Sequence, residues 1–301
     1  DAANAVLDAV NAARKAGNRG GAVVQIGSQR RSGNAYHIAN DYIRSGKFGD
    51  ITYVDLCWNV NQPRRWRRPE ALVASLKEAD TDWKRWLLDR PMVAFDPRKY
   101  LEFRLFWPYS SGIPGQWMCH QIDTVAWFTG FEFPRSAVAD GGIYAWKDGR
   151  QSADTFTAIF EYGPDNDPGK GFQVVFSSRQ HNSARGNVEK YHSKIGTIDL
   201  IKGTVSNEGV EQVKRETTKL SDSEAAATAA DTGAGNMEVA HMRNWMECVR
   251  SRKQPNAPIE AGYSHAVALI MSNASMRTGM RATFDRARRQ VIAGGKVFKG
   301  Y

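Results

Sequence analysis

The sequence predicts a mixed α/β fold in two parts, an α/β segment followed by an α+β domain. Residues 1–50 alternate helical and strand-like patterns, as at the end of a doubly wound parallel sheet. Residues 51–301 carry short alternating runs joined by Gly, Asp and Pro turns, which is typical of a mostly antiparallel sheet. The 301 residues, 42% hydrophobic and 11% aromatic, suffice for one large or two small globular domains.

The first part is predicted to contain two helices and one strand. Apolar residues at helical spacing over residues 2–16 indicate a helix that ends at Gly17. Residues 22–27 form a short apolar run of the kind found in buried parallel strands. A second helix is expected over residues 35–45, ended by Gly46.

The second part is predicted to be rich in strands and to end in two helices. Residues 61–110 are irregular and rich in Arg, Trp and Pro, and residues 221–236 read as a mobile surface insertion of low complexity. The last helix is expected to end at Gly279. Strands are expected over 51–60, 136–145, 154–162, 171–178 and 188–201, and helices over 111–130, 237–250 and 262–277.

The formal net charge of +9 raises the question of an anionic partner. Its densest cluster is residues 64–68 (RRWRR), in a loop bounded by Pro63 and Pro69. Three interpretations stay open, in this order: a solvated loop, an anion-binding rim for a dinucleotide phosphate or an acidic sugar, and a nucleic-acid contact. Because no nucleic-acid-binding module is recognisable, we expect no nucleic-acid partner.

Membrane insertion and metal binding are not expected. No apolar run approaches the ~20 residues of a membrane span. Cys57, Cys119 and Cys248 lack metal-ligand spacing and are expected to be free thiols. A nucleophilic role for Cys119 is disfavoured, because its position next to His120 directs it to a different helix face.

The most informative segment is residues 111–130 (SGIPGQWMCHQIDTVAWFTG). Gln116, His120, Asp123 and Trp127 are spaced four, three and four apart, so they share one face of the predicted helix. A polar stripe with a histidine, entering from a Gly-rich turn, is typical of an active-site wall. The alternative is a buried histidine whose hydrogen bond is satisfied by Asp123.

Several ordered motifs resemble the Gfo/Idh/MocA (glucose–fructose oxidoreductase, inositol dehydrogenase, rhizopine catabolism) family over nearly the whole chain. Gly112 and His120 fit its pattern G-x-x-x-D-x-x-x-H, with Gln116 at the position of the aspartate. The other matching segments are 25–32 (QIGSQRRS), 45–51 (SGKFGDI), 82–87 (DWKRWL), 104–109 (RLFWPY), 248–255 (CVRSRKQP) and 260–265 (EAGYSH).

The resemblance implies a fold, a cofactor and an assembly. Residues 1–50 would be the remnant of a Rossmann-type nucleotide-binding domain, and residues 51–301 an open-faced, mostly antiparallel sheet with helices on one face. The cofactor would be NAD or NADP and the ligand a small sugar or glycoside. A homo-oligomer is expected through the open sheet face, where residues such as Phe172, Val174 and Phe176, or their neighbours, would pack. Both cytoplasmic and periplasmic locations stay open.

Two family features are missing from the sequence. It has no G-x-G-x-x-G turn and no E-K-P tripeptide. Three explanations compete: the chain is a fragment, the upstream half is a separate piece, or the chain is a truncated relative without redox chemistry. We favour the first two jointly, because the residues of the catalytic face are present.

The resemblance assigns roles to individual residues. His120 would be the base that removes a hydroxyl proton, Gln116 would bind a sugar hydroxyl, and Asp123 would hold His120. For sugar recognition it points to Arg104, Trp107, Tyr109 and, more weakly, His192; Gln29 and Arg31 would approach the nicotinamide or the substrate.

Three functional hypotheses follow. The first is a nicotinamide-dependent sugar or polyol oxidoreductase. The second is a redox-neutral glycosidase of the same family that uses tightly held NAD. The third is a non-catalytic binding or assembly module.

Overall fold

The computed structural model describes residues 2–16, 21–88, 90–220 and 236–300. Within these ranges the chain forms one mixed sheet of eleven strands covered by helices, which confirms the predicted α/β class and the mostly antiparallel sheet. The helices are α1 Ala2–Ala16, α2 Asn34–Arg44, α3 Glu70–Ser75, α4 Trp83–Trp86, α5 Pro97–Leu101, α6 Cys119–Thr129, α7 Asn236–Ser251 and α8 Ile259–Thr278. The strands are β1 Ile51–Trp58, β2 Ser136–Gly142, β3 Thr155–Tyr162, β4 Phe172–Arg179, β5 Asn187–Ser193, β6 Gly196–Asp199, β7 Thr204–Ser206, β8 Thr217–Lys219, β9 Ala282–Asp285, β10 Gln290–Ala293 and β11 Lys296–Val297.

The strand order is β11-β10-β9-β2-β3-β4-β1-β5-β6-β7-β8. Of the ladders in the described residues, only β1–β4 is parallel, and it sits at the centre of the sheet. Most consecutive strands, such as β2–β3, β3–β4 and β5–β6, pair as antiparallel neighbours, which requires only short connections. Strand β1 thus lies between β4 and β5 and places its last residues next to the helices that follow residue 110.

Side-chain alternation divides the sheet into a covered and an open face. In β3, Phe156, Ala158, Phe160 and Tyr162 are buried, while Thr157 and Glu161 are exposed. Helices α6 and α8 pack on the covered face and share one hydrophobic core with it.

This alternation shows which β4 residues lie on the open face, where the oligomer contact is predicted. Phe172, Val174 and Phe176 belong to the covered face, so their neighbours Gln173 and Val175 line the open one. The homo-oligomer stays a prediction.

The predicted parallel strand over residues 22–27 is wrong. This segment is extended but has no strand neighbour in the described part of the chain. Its backbone bonds instead to helical and loop groups: Ile26 N–H donates to Ala257 O (2.8 Å), and Trp245 Nε1 donates to Val23 O (3.2 Å). An apolar run predicts extended backbone but not the neighbour that turns it into a strand. The domain boundary at residue 50 stays a prediction.

Helix ends agree with the predictions where glycine ends them. Gly130 and Gly279 adopt φ +79° and +69°, and their backbone N–H groups donate the terminal helical hydrogen bonds to Ala126 O and Ser275 O. Gly17 and residues 221–235 lie outside the described residues. None of the helices in the described part combines the length and hydrophobicity that a bilayer span requires.

Removing the Phe160 ring is expected to lower the free energy of unfolding by roughly 3–5 kcal/mol, because the side chain is fully buried at the centre of the covered face. Phe160→Ala should therefore shift the denaturant midpoint strongly. The matched control is Val297→Ala, which removes an apolar side chain that is 44% exposed and should change the value by less than about 0.5 kcal/mol. Equal effects in the two variants would contradict the assignment of the core.

Candidate active site

The entry to α6 is a π-helical turn over Pro114–Met118. Gly112, at φ +65°, starts this turn, and a Cβ there would lie 2.8 Å from the Ser152 Cβ. Single π turns are frequent at functional sites because they redirect the side chains that precede them. The predicted four-residue step from Gln116 to His120 therefore does not place both on one α-helical face.

His120 offers both ring nitrogens to a ligand. Its half-buried ring packs against Trp58 with centroids 6.1 Å apart, and it makes no hydrogen bond to any residue in the described ranges. Burial, with the nearby charges of Arg30 and His265, lowers the pKa of His120 to about 3, although Asp123 opposes this shift. The imidazole is neutral at physiological pH and presents one acceptor and one donor nitrogen.

Asp123 does not hold His120 but ties α6 to the turn at residues 29–32. Arg31 Nε donates to its Oδ2 (2.8 Å) and Arg31 Nη2 to its Oδ1 (3.1 Å). His265 Nδ1 lies 3.6 Å from Oδ1, beyond ordinary hydrogen-bond distance. Burial acts to raise the pKa of Asp123, but His265 and Arg31 outweigh it and hold the pKa below its usual value. The buried carboxylate is therefore ionised and holds the Arg31 side chain by two hydrogen bonds.

A second buried ion pair fixes the same turn to the sheet. Arg30 Nε donates to Glu189 Oε1 (3.0 Å) and to the Tyr36 hydroxyl (3.0 Å), and Arg30 Nη2 also bonds Glu189. Gln121 Nε2 of α6 reaches the same Glu189 oxygen at 3.2 Å. The Arg30 guanidinium also lies 5.3 Å from the Trp58 ring centroid. This network orients the ring against which His120 packs.

Gln116 pairs with Arg104 instead of facing His120. Arg104 Nε donates to Gln116 Oε1 at 2.7 Å, so the predicted substrate residue Arg104 is next to the catalytic helix. Trp117 of the same π turn stacks on Trp58 with centroids 6.0 Å apart and an interplanar angle of 16°. Trp66 packs on the other side of Trp117 at 5.7 Å. These three indoles form a continuous wall, called here the tryptophan wall, that runs from Trp66 to His120.

Three predicted substrate residues make their contacts away from His120 and the tryptophan wall. Trp107 contacts Arg277 (3.6 Å to the ring centroid), and Tyr109 packs on Trp86 (4.9 Å). His192 bonds Thr197 Oγ1 (3.0 Å) on the open face of the sheet, opposite the face that carries Glu189. Side chains of adjacent β5 residues alternate between faces, so the sheet separates His192 from the site around His120.

The described residues do not form a dinucleotide site by themselves. Arg31 is occupied by Asp123 and lies 5.3 Å from the Trp127 ring centroid, so its charge is already paired. Gln29 is half-buried in the turn and bonds no described residue, which leaves its amide available. The pyrophosphate of NAD or NADP needs backbone N–H groups of a Gly-rich turn at a helix N-terminus, and the sequence has no such turn.

Sequence reasoning missed His265, Arg30 and Glu189. His265 is the last residue of the matching segment 260–265, and that segment was the available signal. Arg30 adjoins the predicted Arg31, but its partner Glu189 is 159 residues away and carries no local signal.

The cysteines and metal-type ligands add no further chemistry. The Cys119 thiol contacts Gly115 O (3.2 Å), and burial raises its pKa to about 12, so it is not a nucleophile at neutral pH. The three cysteines are free thiols, as predicted. Across the described ranges, no three metal-ligating side chains are clustered.

Solved structures with this fold are sugar and polyol dehydrogenases and related oxidoreductases. A putative myo-inositol dehydrogenase from Sinorhizobium meliloti is 12% identical, with a TM-score of 0.57 over 93% of this chain and 69% of its own. An NAD binding oxidoreductase from Klebsiella pneumoniae is 14% identical, with a TM-score of 0.61 over 93% of this chain and 70% of its own. Levoglucosan dehydrogenase, solved with NADH and levoglucosan, is 14% identical, with a TM-score of 0.57 over 84% and 64%.

These similarities confirm the predicted resemblance at the level of the fold, which is that of the C-terminal domain of Gfo/Idh oxidoreductases. The chain spans about two thirds of the length of these neighbours. No protein-family model matches the chain, and no curated protein matches it in sequence.

The low pKa of His120 has a consequence for stability. Between about pH 6.5 and 3, the unfolded chain binds a proton at this residue that the folded chain does not, so folded-state stability falls as pH falls through this window. His120→Gln removes the effect and should gain stability relative to wild type by at most about 1.4 kcal/mol per pH unit.

Urea unfolding of both proteins at pH 7.5 and pH 4.5 measures this difference. The difference in unfolding free energy at pH 7.5 reports the packing of the His120 side chain. The change of this difference at pH 4.5 reports the ionisation of His120. A stability difference that is constant with pH would show that His120 keeps an ordinary pKa.

Breaking the Asp123 pair should be costly. Asp123→Ala leaves Arg31 without its carboxylate partner and is expected to lower the free energy of unfolding by roughly 3–5 kcal/mol. Asp165→Ala is the control, since its contact with Arg286 joins two half-exposed side chains and is worth under about 1 kcal/mol. Comparable losses in both variants, measured by guanidinium unfolding, would argue against the positioning role of Asp123.

Proposed function

We propose that this chain carries the substrate-binding and proton-transfer part of an oxidoreductase acting on a sugar or polyol. The observation that carries the proposal is His120, a half-buried neutral histidine with no hydrogen-bond partner in the described residues, at the end of the tryptophan wall. The fold, shared with sugar and polyol dehydrogenases, supports the same reaction class.

In the proposed reaction, His120 accepts the proton of a substrate hydroxyl. Its acceptor nitrogen first receives a hydrogen bond from that hydroxyl. With a pKa of about 3, the ring is a weak base in the resting site. As the carbinol carbon loses hydride, the hydroxyl becomes that of a protonated carbonyl, a far stronger acid than an imidazolium. A weak base therefore suffices to take the proton.

Asp123 and the tryptophan wall position the reacting groups. The ionised Asp123 favours the imidazolium formed during proton transfer, because its charge raises the pKa of His120. The exposed part of Trp58, which is half-buried beside His120, offers apolar surface to the C–H face of a sugar ring. The substrate is thus held against this indole while its hydroxyl meets His120.

A nicotinamide, when bound, would accept the hydride. Because the described residues do not fit a pyrophosphate, the proposal places the dinucleotide-binding unit outside these 301 residues, on the same polypeptide or on a partner. The denatured mass of the native polypeptide distinguishes these two arrangements.

The proposal is tested by turnover of the native protein. Reduction of NAD or NADP is followed by absorbance with a panel of sugars, polyols and sugar acids. His120→Ala is expected to lower the rate by about 10²–10⁴-fold. The matched control is His192→Ala, which removes a histidine on the open sheet face and should retain the wild-type rate.

Full activity in His120→Ala would overturn the assigned role. If the native protein neither binds nor reduces a nicotinamide with any of these compounds, the oxidoreductase proposal fails in favour of a binding module.

A further inference from the structure

Three arginines at the far end of the tryptophan wall, Arg65, Arg68 and Arg104, form what we call the arginine cluster. Arg104 is half-buried, donates through Nε to Gln116, and stacks on Phe103 with 4.7 Å to the ring centroid. Across the described ranges, no carboxylate lies within ion-pair distance of Arg104 or of the exposed Arg68 side chain. Two cations of the cluster are therefore uncompensated.

The nearby carboxylates are already used by other arginines. Glu102, whose side chain is fully buried, accepts from Arg67 Nε (2.9 Å), Arg98 Nε (2.9 Å) and the Arg68 backbone N–H (2.8 Å). Asp148 accepts from Arg150 Nη2 at 2.8 Å. Within the described ranges, these carboxylates are thus engaged by other arginines and do not pair with Arg104.

The loop that carries Arg65 and Arg68 is held in place, not merely solvated. Glu102 binds both Arg67 and the Arg68 backbone. The Arg65 guanidinium lies 5.4 Å from the Trp117 ring centroid, on the same indole that Trp66 covers. Trp66 adopts φ +67°, a left-handed conformation that a bulky residue keeps only where its surroundings impose it. The loop backbone and the side chains of Arg65 and Arg104 are therefore held in place before any ligand binds.

Gln116 keeps the charge of Arg104 available. A carboxylate at this position would form an ion pair with the guanidinium, whereas the neutral amide accepts its hydrogen bond without cancelling its charge. The amide nitrogen of Gln116 remains as a further donor. Burial, together with the charges of Arg68 and Arg65, lowers the pKa of Arg104, which shows that the three cations repel one another.

We propose that the arginine cluster binds the anionic group of the substrate, which makes the substrate an acidic sugar that carries a carboxylate or a phosphate. Two planar guanidiniums and an amide N–H match the oxygens of either group. The inference rests on the proposed function for the other end of the ligand, because Trp117 and Trp58 connect the cluster to His120 by ring contacts of 6.0 and 6.1 Å.

The test measures binding without cofactor or turnover. The full chain is titrated calorimetrically at low ionic strength with D-glucuronate, its neutral methyl ester, glucose 6-phosphate and D-glucose. We expect one of the two anions to bind at least about tenfold more tightly than its neutral counterpart, as charge-assisted hydrogen bonds predict. Preference for glucuronate or for the phosphate identifies the anionic group.

Two variants and one control locate the site. Arg104→Gln should weaken anion binding about tenfold or more. Gln116→Glu, which keeps nearly the same shape but neutralises Arg104, should do the same. Arg288→Gln removes an arginine that is 75% exposed in the turn between β9 and β10, and should bind the anion as wild type does.

Equal affinity of both anions and their neutral counterparts, absence of binding by both anions, or unchanged binding in Gln116→Glu would each overturn the proposal. Anion binding without any sugar oxidation would leave the cluster assignment intact and refute the oxidoreductase proposal. Oxidation of neutral polyols without anion binding would support the oxidoreductase proposal and refute the assignment of the arginine cluster.

Discussion

Two consecutive arginines set the position of everything else in the candidate site. Arg30 joins the 29–32 turn to the sheet through Glu189, and Arg31 joins the same turn to α6 through Asp123. Both carboxylates are fully buried, so each needs its cation to remain charged inside the protein. Because one short turn carries both cations, the helix with His120 cannot shift against the sheet without breaking a buried ion pair.

These two buried ion pairs are called here the arginine clamp. The groups around the clamp explain the low pKa of His120. Arg30 and His265 place positive charge near a ring that is already shielded from water, and together they favour its neutral form. At the other end of the tryptophan wall, Arg68 and Arg104 have no carboxylate of the described residues within ion-pair distance and favour a negative ligand. The site is thus polarised along its length, with a proton acceptor at one end and excess positive charge at the other.

Sequence periodicity predicted the elements well, because burial on one face leaves a local signal. The alternation in β3 and the glycines that end α6 and α8 are examples. The π turn before α6 could not be predicted in this way, since it inserts a residue without changing the hydrophobic pattern. For that reason Gln116 was placed beside His120, whereas it faces Arg104.

Contacts between segments far apart in the sequence could not be predicted for a different reason, because no local pattern marks the partner. Glu189 alternates normally within β5, and nothing near it marks a partner in the 29–32 turn. The same holds for residues 22–27, whose apolar character was recognised but whose partners, Ala257 and Trp245, lie near α7 and α8. His120 itself was found because its helix carries the whole motif locally.

The clamp also bears on how quickly the site can form during folding. The two ion pairs join residues that are 92 (Arg31–Asp123) and 159 (Arg30–Glu189) positions apart in the sequence. A hydrogen bond of the same turn, between Ser32 and His241, joins residues 209 positions apart. Closing loops of this length costs chain entropy before any contact compensates for it, so chains with such topology fold slowly. The low pKa of His120 therefore depends on contacts between segments that are far apart in the sequence.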